Sequence, residues 1–190
     1  MVQNIKKSEI REYYKKAHKK DLFRSKSLLK WVPLILKTFY TNNCKSIMDY
    51  GCGNGNSWHV LREIFFQGSE QSNSLYLYDP YHEKRNKYSI TECDLVICID
   101  VMEHVPESDV NEVLSNILCH ANKAVFFVIS NKPATKTFPS GENIHVTLKN
   151  KSWWQAKIDS ANLHNIVIHL YMDSEKTSSI NPWEEQYNHI

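Results

Sequence analysis

Three glycines at alternate positions, Gly51, Gly53 and Gly55, follow the apolar segment Ile47-Met48-Asp49-Tyr50. The chain has only five glycines, so three within five residues mark a turn from which side chains must be absent. Such a turn lets backbone and a helix N-terminus approach a ligand closely. The spacing GxGxG is not the dinucleotide pattern GxGxxG, because Asn56 stands where the third glycine would be. Nor is it a P-loop, because no Lys follows. Two acids, Asp79 and Asp100, end two further apolar runs, "SLYLYD" and "CDLVICID". Glu103 and His104 come next in "VMEHVPE", and His145 lies in "ENIHV". Carboxylates and imidazoles can take a proton from a hydroxyl or amine nucleophile. Asp100 is the first candidate for that task, with His104 and His145 behind it. The plainer roles are a loop cap for Asp100 and ordinary packing for each histidine.

These residues need elements to place them. Ser8 to Lys20 has helical spacing, with Ile10, Tyr13, Tyr14 and Ala17 on one face. Lys26–Tyr40 reads as a second helix, with Leu28, Leu29, Val32, Leu36 and Phe39 inward and Pro33 as a kink or irregular start. Strands are expected at 46–50, 74–79, 93–100, 123–130 and 165–171. Helices are expected at 57–66, 107–121 and 151–162, the last capped by Ser152. A long loop should span 131–150, and "PWEEQYNHI" is a candidate last strand. Alternating strands and helices argue for a doubly wound, mostly parallel sheet covered on both faces. In such a sheet the ligand sits beyond the carboxyl ends of the strands, at the switch point. Gly51–Gly55, Asp79 and Asp100 all fall at strand ends and should line one crevice.

Composition bounds the rest. The 190 residues, 42% hydrophobic and 23% charged, suit one globular domain spanning 1–190. Residues 1–43 would form a helical lid and 44–190 a core. No run reaches the roughly 18 apolar residues of a membrane span, and the first residues lack the apolar centre of a signal peptide. A cytoplasmic protein is expected. The five cysteines form no CxxC pair, and the nine histidines show no ligand spacing such as HExxH, so neither a disulfide framework nor a metal site is expected. Residues 1–30 carry ten Lys and Arg against three Asp and Glu, in a chain of net charge +2. That surplus is either a solvated helix face or a basic lid that attracts an anionic substrate.

The combination resembles the class I S-adenosylmethionine-dependent methyltransferases. The carrying residues are "IMDYGCGNG" at 47–55, Asp79, "DLVICIDVMEHV" at 94–105 and "IHVTLKNKSWWQAKIDSANLHNIVIHLY" at 144–171. Segments before and after the glycine turn look like short methyltransferases of phage genomes and bacterial surface-glycan clusters. The resemblance implies a seven-stranded Rossmann-like sheet. It also implies S-adenosylmethionine as cofactor, held by Asp49, Gly51, Cys52, Gly53, Gly55, Asp79, Pro80, Asp100 and Val101, with Asp79 on both ribose hydroxyls. His104 would pack near the cofactor, His145 would stand in the acceptor wall, and the N-terminal helix with Tyr13, Tyr14 and His18 would close over the site. One departure is evident: only fourteen residues separate Asp79 from Asp94. The usual helix there should be short or missing, with a minimal strand near Tyr88–Ile90. Pro80, Tyr81, Ile90 and Thr91 are candidates for the adenine pocket.

The acceptor is less legible. Adenine-N6 and cytosine-N4 methyltransferases carry (D/N)PP(Y/F) where this chain has Asp100-Val101-Met102-Glu103. No Pro-Cys nucleophile appears. Nucleic-acid bases are thus disfavoured, and no separate recognition domain is evident. The expected acceptor is a small, anionic molecule, a sugar or a nucleotide-linked precursor, methylated on oxygen or nitrogen. A cofactor-binding regulatory protein and a Rossmann oxidoreductase are the alternatives, the second disfavoured by the glycine spacing.

Overall fold

The computed structural model describes residues 5–20, 26–66, 75–88 and 92–175. Five parallel strands form one sheet: β1 (Ile47–Tyr50), β2 (Leu75–Tyr78), β3 (Cys93–Ile99), β4 (Ala121–Ile129) and β5 (Val167–Met172). Their order is β2-β1-β3-β4-β5, all pairs parallel. The chain steps outward from β1 to β2, then returns to the other side of β1 with β3. That reversal puts the switch point between β1 and β3, beside the glycine turn.

Both faces are buried, which is why β3 and β4 read as near-continuous apolar runs over residues 95–99 and 124–129. Met48, Val96, Cys98, Val125 and Phe127 point to one face, where α4 (Val110–Cys119) and α5 (Lys151–Ala161) cover them. Ile47, Leu95, Ile97, Phe126 and Val128, one residue out of phase, point to the other. There α2 (Lys26–Thr41) and α3 (Trp58–Phe66) close the core. α1 (Lys7–Lys19) belongs to neither layer. Its buried Ile10 and Tyr14 form a third cluster with Phe138 and Ile144 of the 131–150 loop. That loop carries no helix or strand, only one isolated bridge between Thr137 and Asn143.

Several expectations are corrected. The sheet has five strands among the described residues, not seven. Tyr88 is not in a strand; its ring stacks on Tyr78 at 4.0 Å instead. Ile90, Thr91, Gly68 and the "PWEEQYNHI" strand lie outside the described residues. The inward face of α2 is rotated from the one expected. Leu28, Trp31, Leu34, Ile35 and Phe39 are buried, whereas Leu29 is 53% exposed and Val32 and Leu36 only half-buried. Trp31, the largest side chain on the helix, sets the face by packing on Phe126 and Tyr171. α5 is capped by Asn150, whose Oδ1 accepts from Trp153 N–H at 2.9 Å, and Ser152 donates to that cap. Among its described residues the shortened stretch after β2, 79–88, holds only turns and bends. His82 N–H donates to Asp79, Arg85 N–H to His82, and Asp79 N–H to Arg85, closing the chain on itself. Among the described residues no helix is long and apolar enough to cross a membrane.

Candidate active site

A cavity of about 620 Å³ opens at the carboxyl ends of β1, β2 and β3. Its size falls in the ~300–1,000 Å³ range of cofactor and small-ligand sites. Asp49, Gly51, Cys52, Gly53, Asp79, Pro80, Asp100, Val101, His104 and His145 all line it. The strand ends bring together residues spread over nearly a hundred positions of sequence. Gly55 is the exception among the candidates. A Cβ there would lie 2.3 Å from Arg85 Nη1 and 2.8 Å from Leu77 Cδ1, so its glycine serves the packing of the turn behind the cavity.

Gly51, Gly53 and Gly55 all have positive φ, from +58° to +82°. At Gly51 a Cβ would collide with Val101 at 2.3 Å, so the missing side chain lets the ends of β1 and β3 meet. The N–H groups of Gly51 and Cys52 donate to Tyr78 O, that of Gly53 to Asp79 Oδ2 at 3.0 Å, and that of Gly55 to Cys52 O. These four donors are satisfied internally. These backbone donors hold the turn in shape, and at Gly51 and Gly55 the missing side chains make way for Val101 and for Arg85 and Leu77.

Below the turn, Asp49 is buried and accepts from Trp58 Nε1 at 2.7 Å. Burial pushes its pKa up to about 7, against the indole hydrogen bond. Trp58 is thereby a core residue with a polar duty. At the end of β2, Asp79 accepts from Gly53 N–H and from Tyr81 N–H at 2.9 Å, and His18 Nε2 lies 3.2 Å from Oδ1. Three of a carboxylate's roughly four acceptor positions are thus engaged. One remains open to a ligand donor, and a second would require His18 to move.

α1 covers this end. Tyr14 stacks on Tyr81 with ring centroids 5.5 Å apart, and its hydroxyl lies 2.7 Å from His104 Nδ1. Lys7 pairs with Asp109 ahead of α4, and Ser140 of the long loop donates to Glu9. Tyr14 and His18 therefore belong to the cavity wall, where helix spacing alone showed only packing.

The far end is acidic. Asp100 adopts φ +53°, a left-handed conformation that Asp tolerates better than most residues. Burial raises its pKa, opposed by a hydrogen bond from Ser27. Glu103 is fully buried, and burial, with Asp100 nearby, holds its pKa well above the carboxylate range. Burial lowers His104 to about 4, so this imidazole is neutral at physiological pH. Its ring lies 4.7 Å from that of His145. Ser27, Ser130 and Asp173 complete this end. Sequence reasoning missed them, because each reaches the site from a segment with no motif of its own.

A parallel α/β sheet with a glycine turn and acids at its switch point defines a Rossmann-like fold. The family follows from comparison: residues 20–174 match the model described as a methyltransferase domain. The chain belongs to that family of transferases, whose members generally use S-adenosylmethionine. A search of curated proteins returned no match.

Proposed function

We propose that the chain binds S-adenosylmethionine in this cavity and transfers its methyl group to an oxygen or nitrogen of a small molecule. The supporting observation is the convergence of the glycine turn, Asp79 and the Asp100–Glu103–His104–His145 group on one cavity at the switch point. The cofactor supplies a methyl group already activated on a sulfonium. The protein's task is then to orient a nucleophile and manage its proton, and positioning alone can contribute ~7–11 kcal/mol.

The residues present suit that cofactor. Gly51 and Gly53 line the cavity where its methionine part would lie, Asp79 offers an acceptor to its ribose, and Pro80, Tyr81 and Val101 give apolar surface. The acceptor would enter at the acidic end, walled by α1 and the 131–150 loop. Asn143 shapes that loop by accepting from Ala134 and His145 N–H groups and donating to Ala134 O. Lys136, on the same loop and in the cavity wall, would meet an anionic group of the acceptor. The absence of an aromatic residue after Asp100 supports a small molecule over a nucleobase.

Calorimetric titration with S-adenosylhomocysteine tests the cofactor assignment. Wild-type protein should bind one equivalent. Asp79→Ala should bind roughly 10- to 150-fold more weakly, as expected for losing charge-assisted hydrogen bonds of ~1.5–3 kcal/mol. Unchanged affinity in a folded Asp79→Ala protein would overturn the assignment.

A further inference from the structure

The acidic end of the cavity holds a donor set that linear spacing does not reveal. One oxygen of Glu103 accepts from Ser130 N–H at 3.3 Å, while Oε2 is buried with no hydrogen-bond partner. Asp173 Oδ1 is in the same state, and its other oxygen accepts from Ser130 Oγ at 3.0 Å. Leaving carboxylate oxygens buried and unpaired is costly unless a proton or a cation joins them. The neighbouring imidazoles point to the cation. His104 Nδ1 lies 3.0 Å from Ile144 O, and His145 Nδ1 lies 2.6 Å from Lys132 O. A carbonyl only accepts, so His145 Nδ1 is placed to donate and its Nε2 is left for a ligand, whereas His104 Nδ1 is shared between Ile144 O and the Tyr14 hydroxyl at 2.7 Å. Imidazoles fixed by a backbone carbonyl on one nitrogen, with the other left for a ligand, are the usual supporting arrangement of metal-binding histidines.

One carboxylate oxygen of Glu103 and one nitrogen from each of His104 and His145 lie within 4.8 Å of one another. Ligands bound ~2.1 Å from one ion are at most ~4.2 Å apart, so side-chain shifts of under about 1 Å would close the set. Two imidazoles and a carboxylate suit a first-row transition ion better than calcium, which prefers all-oxygen ligands. Three protein ligands in a cavity wall also leave coordination positions open.

We propose that Glu103, His104 and His145 bind one divalent transition-metal ion, such as Mn²⁺ or Zn²⁺, at the acidic end of the cavity. Asp100 and Asp173 add negative charge beside it. The open positions face the space assigned to the acceptor, so the ion would hold an acceptor oxygen and make its hydroxyl easier to deprotonate. That role rests on the methyl-transfer reading; ion binding itself does not.

The test is calorimetric titration of chelator-treated full-length protein with Mn²⁺ and, separately, Zn²⁺. One equivalent should bind. Affinity should fall at least tenfold in Glu103→Gln, which preserves shape and the Ser130 contact, and in His145→Ala, which removes a ligand from a loop rather than the core. Both variants should keep wild-type affinity for S-adenosylhomocysteine and a wild-type melting temperature without metal. Equal metal affinity in wild type and both variants, or no stoichiometric binding by wild type, would overturn the site. Failure of S-adenosylhomocysteine to bind a protein that still takes up metal would count against the cofactor reading and leave the ion site standing.

Discussion

Asp49 and His104 are both buried against their charged forms, and their effects on stability run in opposite directions with pH. Asp49 titrates near 7 in the folded protein, against an ordinary value near 3.8. Between those limits the folded state holds a proton that the unfolded chain releases. The group's contribution is therefore fully present below about pH 4 and lost as pH rises through 7. Asp49→Asn keeps an oxygen for the Trp58 indole but has no such titration. Its stability relative to wild type should rise by about 2–3 kcal/mol between pH 5 and pH 8, measured by urea unfolding. Parallel pH profiles would refute the assignment of a buried, protonated Asp49. His104, lowered to about 4, works the other way: its contribution is complete above 6.5 and lost as pH falls towards 4. At this scale the sequence was partly readable. Asp79, Asp100 and the glycines stand at strand ends, so their convergence followed from topology. The carbonyl contacts that fix His104 and His145, and the burial of Glu103 Oε2, depend on where a long irregular loop folds back, which no periodicity encodes.

α1 and the 131–150 loop act as one unit. Ile10 and Tyr14 from the helix and Phe138 and Ile144 from the loop form a cluster separate from both faces of the sheet. Phe138→Ala should therefore loosen the pair without melting the core. Hydrogen exchange should accelerate across α1 and the loop while β1, β3 and β4 keep wild-type protection. Uniform loss of protection would show that the cluster belongs to the main core. Because Tyr14 reaches His104 at the end assigned to the acceptor, deleting residues 1–20 should weaken acceptor transfer more than binding of S-adenosylhomocysteine; equal losses in both would mean that α1 holds the cofactor through His18 and Tyr81. Helix existence was legible for α1, α3, α4 and α5. The facing of α2 was not. Its sequence is apolar on several sides, and only the demand of Trp31 for the Phe126–Tyr171 surface selects one.

For the whole molecule, the parallel architecture was written in the near-continuous apolar runs of β3 and β4, since two-sided burial leaves little polar alternation. The strand expected near Tyr88 was not formed among residues 79–88, because they fold into turns around Asp79. The basic surplus near the N-terminus falls largely on the outer surface. Lys16 pairs with Glu12 at 2.8 Å and Lys19 with Glu83 at 3.6 Å, all four well exposed. Exposed pairs of this kind contribute little to stability, ~0–1 kcal/mol. Charge reversal at Lys15, Lys16, Lys19 and Lys20 should accordingly leave melting temperature almost unchanged. A salt-dependent loss of acceptor affinity in that variant would support steering of an anionic acceptor. Methyl transfer is proposed for the switch-point cavity. Its most direct test is incubation of the protein with methyl-labelled S-adenosylmethionine and an extract separated into dialysable and macromolecular fractions. The account predicts label in the dialysable fraction, lost in a folded Gly53→Val variant, whose side chain would be forced to a positive φ in the cofactor's space. Label transferred equally by Gly53→Val, or no transfer by a wild-type protein that binds S-adenosylhomocysteine, would contradict it.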